Sequence, residues 1–249
     1  ADAERARTAR LLGELRVYLD AQPAPAGARP AAAAWEPVHI ERRSLRGEKR
    51  GPDNAFEFTF PQGILWGVIG ASLSFALSLV TERTRGTLSR LQAAPISRAH
   101  VLAGKALACL AAIAIVEVAL LAAGRLLFGV RPSSWALVAV ACVSIAACFV
   151  GVMMVVAVIG KTEQSAGGLG WGIMMPLTMF GGGMVPLFVL PAWMSAIGTI
   201  SPVKWGILAL EGALWRGFGP REMLLPCLVL LGFGAIGFGL GARVFAREG

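Results

Sequence analysis

Hydrophobic and polar positions follow two different patterns along the chain, and the change comes at Pro61. Before it, apolar and polar residues mix on a short scale. Leu11, Leu12, Leu15 and Tyr18 fall on one stripe at helical spacing, which predicts an amphipathic helix over 4–20. Residues 22–34 form a linker rich in Pro, Ala and Gly. Val38-His39-Ile40 and the alternating Phe56, Phe58 and Phe60 are compatible with short strands. Residues 1–60 carry too little apolar surface for a core of their own and read as the tail of a larger soluble domain.

After Pro61 the apolar runs are long. Residues 63–80, 134–160 and 168–190 contain no charge. Residues 101–124 contain Lys105 near one end and Glu117 inside, and residues 223–245 contain only Arg243. A helix needs about 20 apolar residues to cross a bilayer core. The pattern therefore predicts an all-α polytopic membrane protein with five transmembrane helices. Buried helices of a large soluble protein are the competing account, and five such runs in so short a chain weigh against it.

Between the fourth and fifth runs lies a semi-apolar stretch, 191–216. Ile207, Leu210 and Leu214 form a stripe there, with Glu211 and Arg216 placed off it, which predicts one or two short helices at the membrane interface or dipping into it. Gly181, Gly182, Gly183 and Pro186 weaken the preceding run and allow a re-entrant turn.

Composition supports the membrane reading. Hydrophobic residues make up 56% and charged residues 15% of the chain, where a soluble domain carries about a quarter charged. The net charge of +8 is concentrated after residue 60, where 13 basic residues face 6 acidic ones. They sit in the gaps between apolar runs, as headgroup anchors do. No basic face with interleaved aromatics appears, so a nucleic-acid partner is not expected. Trp66, Trp135 and Trp171 lie near run ends, as interfacial aromatics do.

The gaps 81–105, 161–167 and 243–249 hold eight basic residues and the other short gaps five, which favours the first set as cytoplasmic. Residues 1–60 hold ten more on the opposite side, so the charge rule by itself decides orientation weakly.

Several motifs are set aside on physical grounds. Gly160-Lys161-Thr162 looks like the end of a phosphate loop, but position 155 is Val155 and no strand precedes it. The dinucleotide-like glycines Gly232, Gly234 and Gly237 lie inside an apolar run with no room for a following strand, so helix packing explains them better. The pairs Gly63/Gly67, Gly168/Gly172 and Gly237/Gly241 have the spacing of close helix contacts. Ser72 has no histidine in a span to activate it. Cys109, Cys142, Cys148 and Cys227 all lie within apolar runs, without metal-ligand spacing, and read as small packing residues. His39 and His100 are isolated.

Two features carry candidate function. Glu117 is the one acid inside a predicted span, and burying it is costly, so it faces protein or water. A polar contact with a neighbouring helix and a place on a translocation path are both open. Lys105 is about 18 Å away along a helix and cannot be its partner within one span. The second feature is the stretch from Glu82 to Lys105. Gly86 and Pro95 bracket a piece containing Thr87, Leu88 and Leu91. Thr87 suits a helix N-cap, and Pro95 disfavours helix at the residue before it. About two turns of amphipathic helix are expected between two spans, suited to docking a partner.

These residues resemble the ABC-2 type transporter permeases, the membrane subunits of many bacterial ABC exporters. The resemblance rests on Glu82, Arg83, Gly86, Thr87, Leu88, Leu91, Pro95, Ser97, Arg98, Gly104 and Lys105. Gly183, Pro186, Pro191, Trp193, Pro202 and Trp205 add a weaker match before the last helix.

The resemblance implies six helices, a large extracytoplasmic domain between the first two, and a position in the bacterial cytoplasmic membrane. Residues 1–60 then read as the C-terminal part of that domain and 61–249 as the transmembrane domain. The opening Ala1-Asp2-Ala3-Glu4 fits a piece of a longer protein. The loop 81–100 would hold a cytoplasmic coupling helix. Glu82, Arg83, Gly86, Thr87, Leu88, Arg90, Leu91, Pro95 and Arg98 are the candidates for contact with a separate ABC ATPase. ATP and Mg would sit on that partner, with no cofactor on this chain and no catalytic residue. A second permease copy, like or unlike, would complete the transporter. The alternative is an ATPase-independent secondary transporter or channel using Glu117.

Overall fold

The computed structural model describes residues 55–86 and 98–247. The helix expected over 4–20, the linker, the strand at 38–40 and the short helix between Gly86 and Pro95 lie outside these residues. The described elements are all helical. In chain order they are α1 (Ala55–Thr84), α2 (Arg98–Leu127), α3 (Trp135–Ile159), α4 (Glu163–Phe180), α5 (Ala192–Gly198), α6 (Pro202–Glu211), a π-helical turn (Gly212–Arg216) and α7 (Pro220–Arg247).

Four stretches are long and apolar enough to cross a membrane: Thr59–Thr84, His100–Leu127, Trp135–Ile159 and Pro220–Val244. The expected run over 168–190 is different. Its helix, α4, begins earlier, at Glu163, and stops at Phe180. The cause is local. Gly182 has φ +87° and Gly183 donates its N–H to the Thr178 carbonyl, which closes the last turn and reverses the chain. The polar first turn, Glu163-Gln164-Ser165, makes α4 less apolar than the other four.

The strand expected at Phe56, Phe58 and Phe60 is instead the first turn and a half of α1. Phe56 and Phe60 are four apart and share one helix face. Phe56 stacks on Phe128 with ring centroids 4.7 Å apart, and the Phe60 ring lies against Gly124 at the end of α2. A three-residue alternation is also a helical i, i+4 pair, and here the helical contact prevails.

Cap chemistry explains the boundaries. Ser134 caps α3 by accepting the Leu137 N–H. Thr162 and Ser165 form a reciprocal capping box at α4, with hydrogen bonds of 3.2 and 3.1 Å. The phosphate-loop look-alike at 160–162 is thus a helix boundary. Ser201 caps α6, and Pro202 takes the first helical position.

α3 and α7 make the closest helix pair. Gly234 lies against Ala147, Gly237 against Gly151, and Gly241 against Met154, so the two helices run parallel. A Cβ at Gly234 would sit 2.6 Å from the Ala147 carbonyl oxygen, which no side chain tolerates. Of the three glycine pairs read from sequence, Gly237/Gly241 packs at both positions, while Gly63, Gly168 and Gly172 face open space.

α4 runs antiparallel to α1: Gly167 lies near Leu77, Gly170 near Leu73, and Trp171 stacks with Trp66. The centre is filled by Ile64, Leu65 and Ile69 of α1, Ile145, Phe149 and Met153 of α3, and Ile207 and Leu210 of α6, all fully buried. Ser72 is buried among them and donates to the Phe149 carbonyl at 2.8 Å, so its hydroxyl is a helix tie. Leu107, Ile115, Val118, Leu126 and Leu127 of α2 point outward. This apolar exterior suits lipid.

Candidate functional site

Four of the predicted coupling residues, Glu82, Arg83, Gly86 and Arg98, lie where α1 ends and α2 begins. Glu82 and Arg83 are in the last turn of α1. Gly86 follows it with φ +71°, the left-handed conformation that stops a helix. Arg98 is the first residue of α2. Thr87, Leu88, Arg90, Leu91 and Pro95 lie outside the described residues.

A contact not foreseen from the sequence joins the two sides of this loop. Lys105, two turns into α2, forms a hydrogen-bonded ion pair with Glu82. Both side chains are a little over a quarter exposed. The pair ties the two helix ends together, so the intervening loop leaves and returns at nearby points. The signal lay in the sequence as opposite charges at the two ends of the matched stretch. What was missing was the rotation of each helix.

At the other end of α1, two side chains hold the glycine turn. Gln62 donates to the Gly182 carbonyl at 3.3 Å and Trp66 to the Gly183 carbonyl at 3.0 Å. Ser201 donates to the Leu177 carbonyl at 2.7 Å. Non-helical backbone at membrane depth needs such partners. Trp66 is therefore a structural tie between α1 and the glycine turn.

Lys204 of α6 donates to the Ser195 carbonyl and to the Ser195 and Thr199 hydroxyls, which fixes α5 against α6. Partial burial lowers its affinity for the proton.

Glu211 departs from expectation. The stripe residues Ile207, Leu210 and Leu214 are buried as predicted, but Glu211 is buried with them at 1% exposure. The α-helix gives way to a π turn at Gly212. That extra residue brings Arg216 back onto Glu211, with Nε and Nη2 donating to Oε2 at 2.8 and 2.7 Å. Burial raises the Glu211 pKa, and Arg216 pulls against it. Arg216 also lies over the Trp215 ring, 4.8 Å from its centroid. Ser133, from the loop between α2 and α3, donates to the Ala213 carbonyl at 2.6 Å and docks that loop on the π turn.

Glu117 is buried in α2 at 1% exposure, as a costly intramembrane acid should be. Its Oε1 is buried and meets no hydrogen-bond donor among the described residues. Glu117 lies in the wall of a groove of about 600 Å³ between α2 and α3, and Cys142 of α3 lines the same wall. Leu110, Leu121, Val138 and Val143 supply much of the rest, and Arg125 stands at the same wall.

Four membrane-length helices around an apolar centre, with a glycine-hinged return and a lipid-compatible exterior, define a multi-pass membrane protein. The comparisons with known proteins make this particular. The ABC-2 type transporter family matches residues 60–215, from the start of the first span to the π turn, and the chain belongs to that family. It is also similar to the linearmycin resistance permease protein LnrN of Bacillus subtilis (strain 168), with 26% identity over 205 residues. That alignment covers 82% of this chain and 53% of the relative. The chain thus spans about half the length of the relative.

Proposed function

We propose that the chain is the permease subunit of an ATP-binding cassette exporter in the bacterial cytoplasmic membrane. The carrying observation is that the family match runs through the whole stretch from Glu82 to Lys105, while the Glu82–Lys105 ion pair holds the end of α1 against the start of α2. In this reading the loop is cytoplasmic and docks a separate ATPase, which holds ATP and Mg. Leu88 and Leu91 enter an apolar socket. Glu82, Arg83, Arg90 and Arg98 flank it with polar contacts, Gly86 and Pro95 delimit the docking helix, and Thr87 caps it. α4 is the fifth crossing, residues 1–60 are extracytoplasmic, and a second permease copy completes the path.

Mechanism follows from the ties. ATP binding closes the ATPase pair and displaces the loop. Glu82 and Lys105 hold α1 and α2 together at that end, so the two helices move as one lever. Only contacts that differ between the two states can transmit the work. The relative named as a resistance permease supports export as the direction.

The test is co-expression of the full-length gene product with the nearest encoded ABC ATPase subunit, followed by detergent purification. The two are expected to co-purify, and Leu88→Asp or Leu91→Asp is expected to abolish this while leaving membrane insertion intact. Undiminished co-purification in both variants would overturn the docking assignment. A well-folded permease that never co-purifies would favour an ATPase-independent transporter.

A further inference from the structure

The groove between α2 and α3 has a chemistry that the coupling reading does not use. Its wall is formed almost entirely by aliphatic and small side chains, including Leu110, Leu121, Val138 and Val143. Glu117 interrupts it with a carboxyl group that is 99% removed from solvent and has an oxygen without a hydrogen-bond donor. Arg125, the one basic residue on the groove wall, is two helical turns along α2, exposed, and forms no ion pair with Glu117 among the described residues. A buried carboxyl without a donor is costly in an apolar medium. Among the described residues no hydrogen bond or ion pair repays that cost.

We propose that this groove binds an apolar molecule of drug-like size bearing a protonated amine, with the ammonium group donating to Glu117. The volume, about 600 Å³, is within the range of small-molecule sites, which are mostly apolar with a few placed polar groups. The aliphatic wall takes the body of the ligand. The unmatched carboxylate oxygen selects charge, because a charge-assisted hydrogen bond in a water-poor site discriminates strongly against a neutral donor. This deepens the export reading by naming a substrate class for the membrane path, and it rests on that reading only for the direction of transport.

The test uses the full-length protein in lipid nanodiscs and two photoreactive probes: a benzophenone with a hexylamine chain and the same benzophenone with a hexanol chain. Labelled peptides are mapped by mass spectrometry. The amine probe is expected to label residues between 110 and 146 at about tenfold lower concentration than the alcohol probe, a ratio typical of one hydrogen bond to a charged group. Glu117→Gln is expected to erase the difference. Val143→Trp, which fills the groove from an outward-facing position on α3, is expected to block both probes.

Equal labelling by the two probes in the unaltered protein, or an amine preference that survives Glu117→Gln, would overturn the proposal. So would efficient cross-linking of two copies through Val118→Cys, because the groove would then be covered by a second permease. The two readings fail separately. Loss of amine preference leaves ATPase co-purification untouched, and a permease that does not bind the ATPase still shows or lacks the preference.

Discussion

Replacing Gly234 with alanine tests the packing that sets the whole bundle. The added Cβ would lie 2.6 Å from the Ala147 carbonyl oxygen, 2.9 Å from its carbon and 3.0 Å from the Cys148 Cα. All three are backbone atoms of α3, so no rotamer change relieves the clash and α7 must move outward. Overpacking costs about 1–3 kcal/mol, and a rigid backbone neighbour places this case in the upper part of that range. The alanine returns about 1 kcal/mol through helix propensity. The net expectation is a loss of about 1–2 kcal/mol. Gly232→Ala is the internal control. It lies on the same helix, meets nothing within 4 Å, and is expected to gain up to about 1 kcal/mol. Reversible unfolding in mixed detergent micelles, followed by tryptophan fluorescence, gives both values. The two variants should move in opposite directions. Stability of Gly234→Ala equal to or above that of the unaltered protein would refute the close parallel packing of α3 on α7.

Other ties give predictions of different size. Arg216→Ala leaves Glu211 buried without its cation and is expected to destabilise by about 3 kcal/mol, as broken buried pairs do. The double change Glu211→Gln with Arg216→Met should recover most of that loss in the same unfolding assay. Lys105→Met is expected to cost under about 1 kcal/mol, since its pair with Glu82 is partly exposed. A double-mutant cycle with Glu82→Gln measures the coupling, and ATP turnover by the purified complex should fall more than stability does.

Much of this architecture was legible in the chain, for identifiable reasons. Long apolar runs at 63–80, 134–160 and 223–245, whose one charge is Arg243, favour membrane spans, and each coincides with a helix of spanning length. The glycine run at 181–183 announced the reversal of the chain there, but composition alone could not show that α4 ends at Phe180. The aromatic alternation at 56–60 misled, because period two and an i, i+4 pair coincide over so short a span. Glu211 was misplaced for a different reason. It ends the regular helix, before the π turn begins at Gly212, and lies four residues after Ile207, so ordinary i, i+4 geometry already puts it on the buried face.

At the site, burial of Glu117 followed from its apolar surroundings. Its want of a donor depends on which faces of α2 and α3 meet, and no spacing rule supplies that. The pairing of Lys105 with Glu82 was hidden in the same way. Sequence shows the two charges, and only the relative rotation of α1 and α2 makes them partners.

The most direct test of the central claim is site-specific photocross-linking in cells. A photoreactive amino acid is placed at position 88 or 91 of the full-length protein, co-expressed with the nearest encoded ABC ATPase, and at Phe128 as a control. Phe128 follows α2, at the end remote from the loop. The account predicts a cross-link to the ATPase from 88 and 91 and none from 128. Cross-linking from 128 alone, or from none of the three in a cell that expresses both proteins, would contradict the assignment of the 82–98 loop as the ATPase dock.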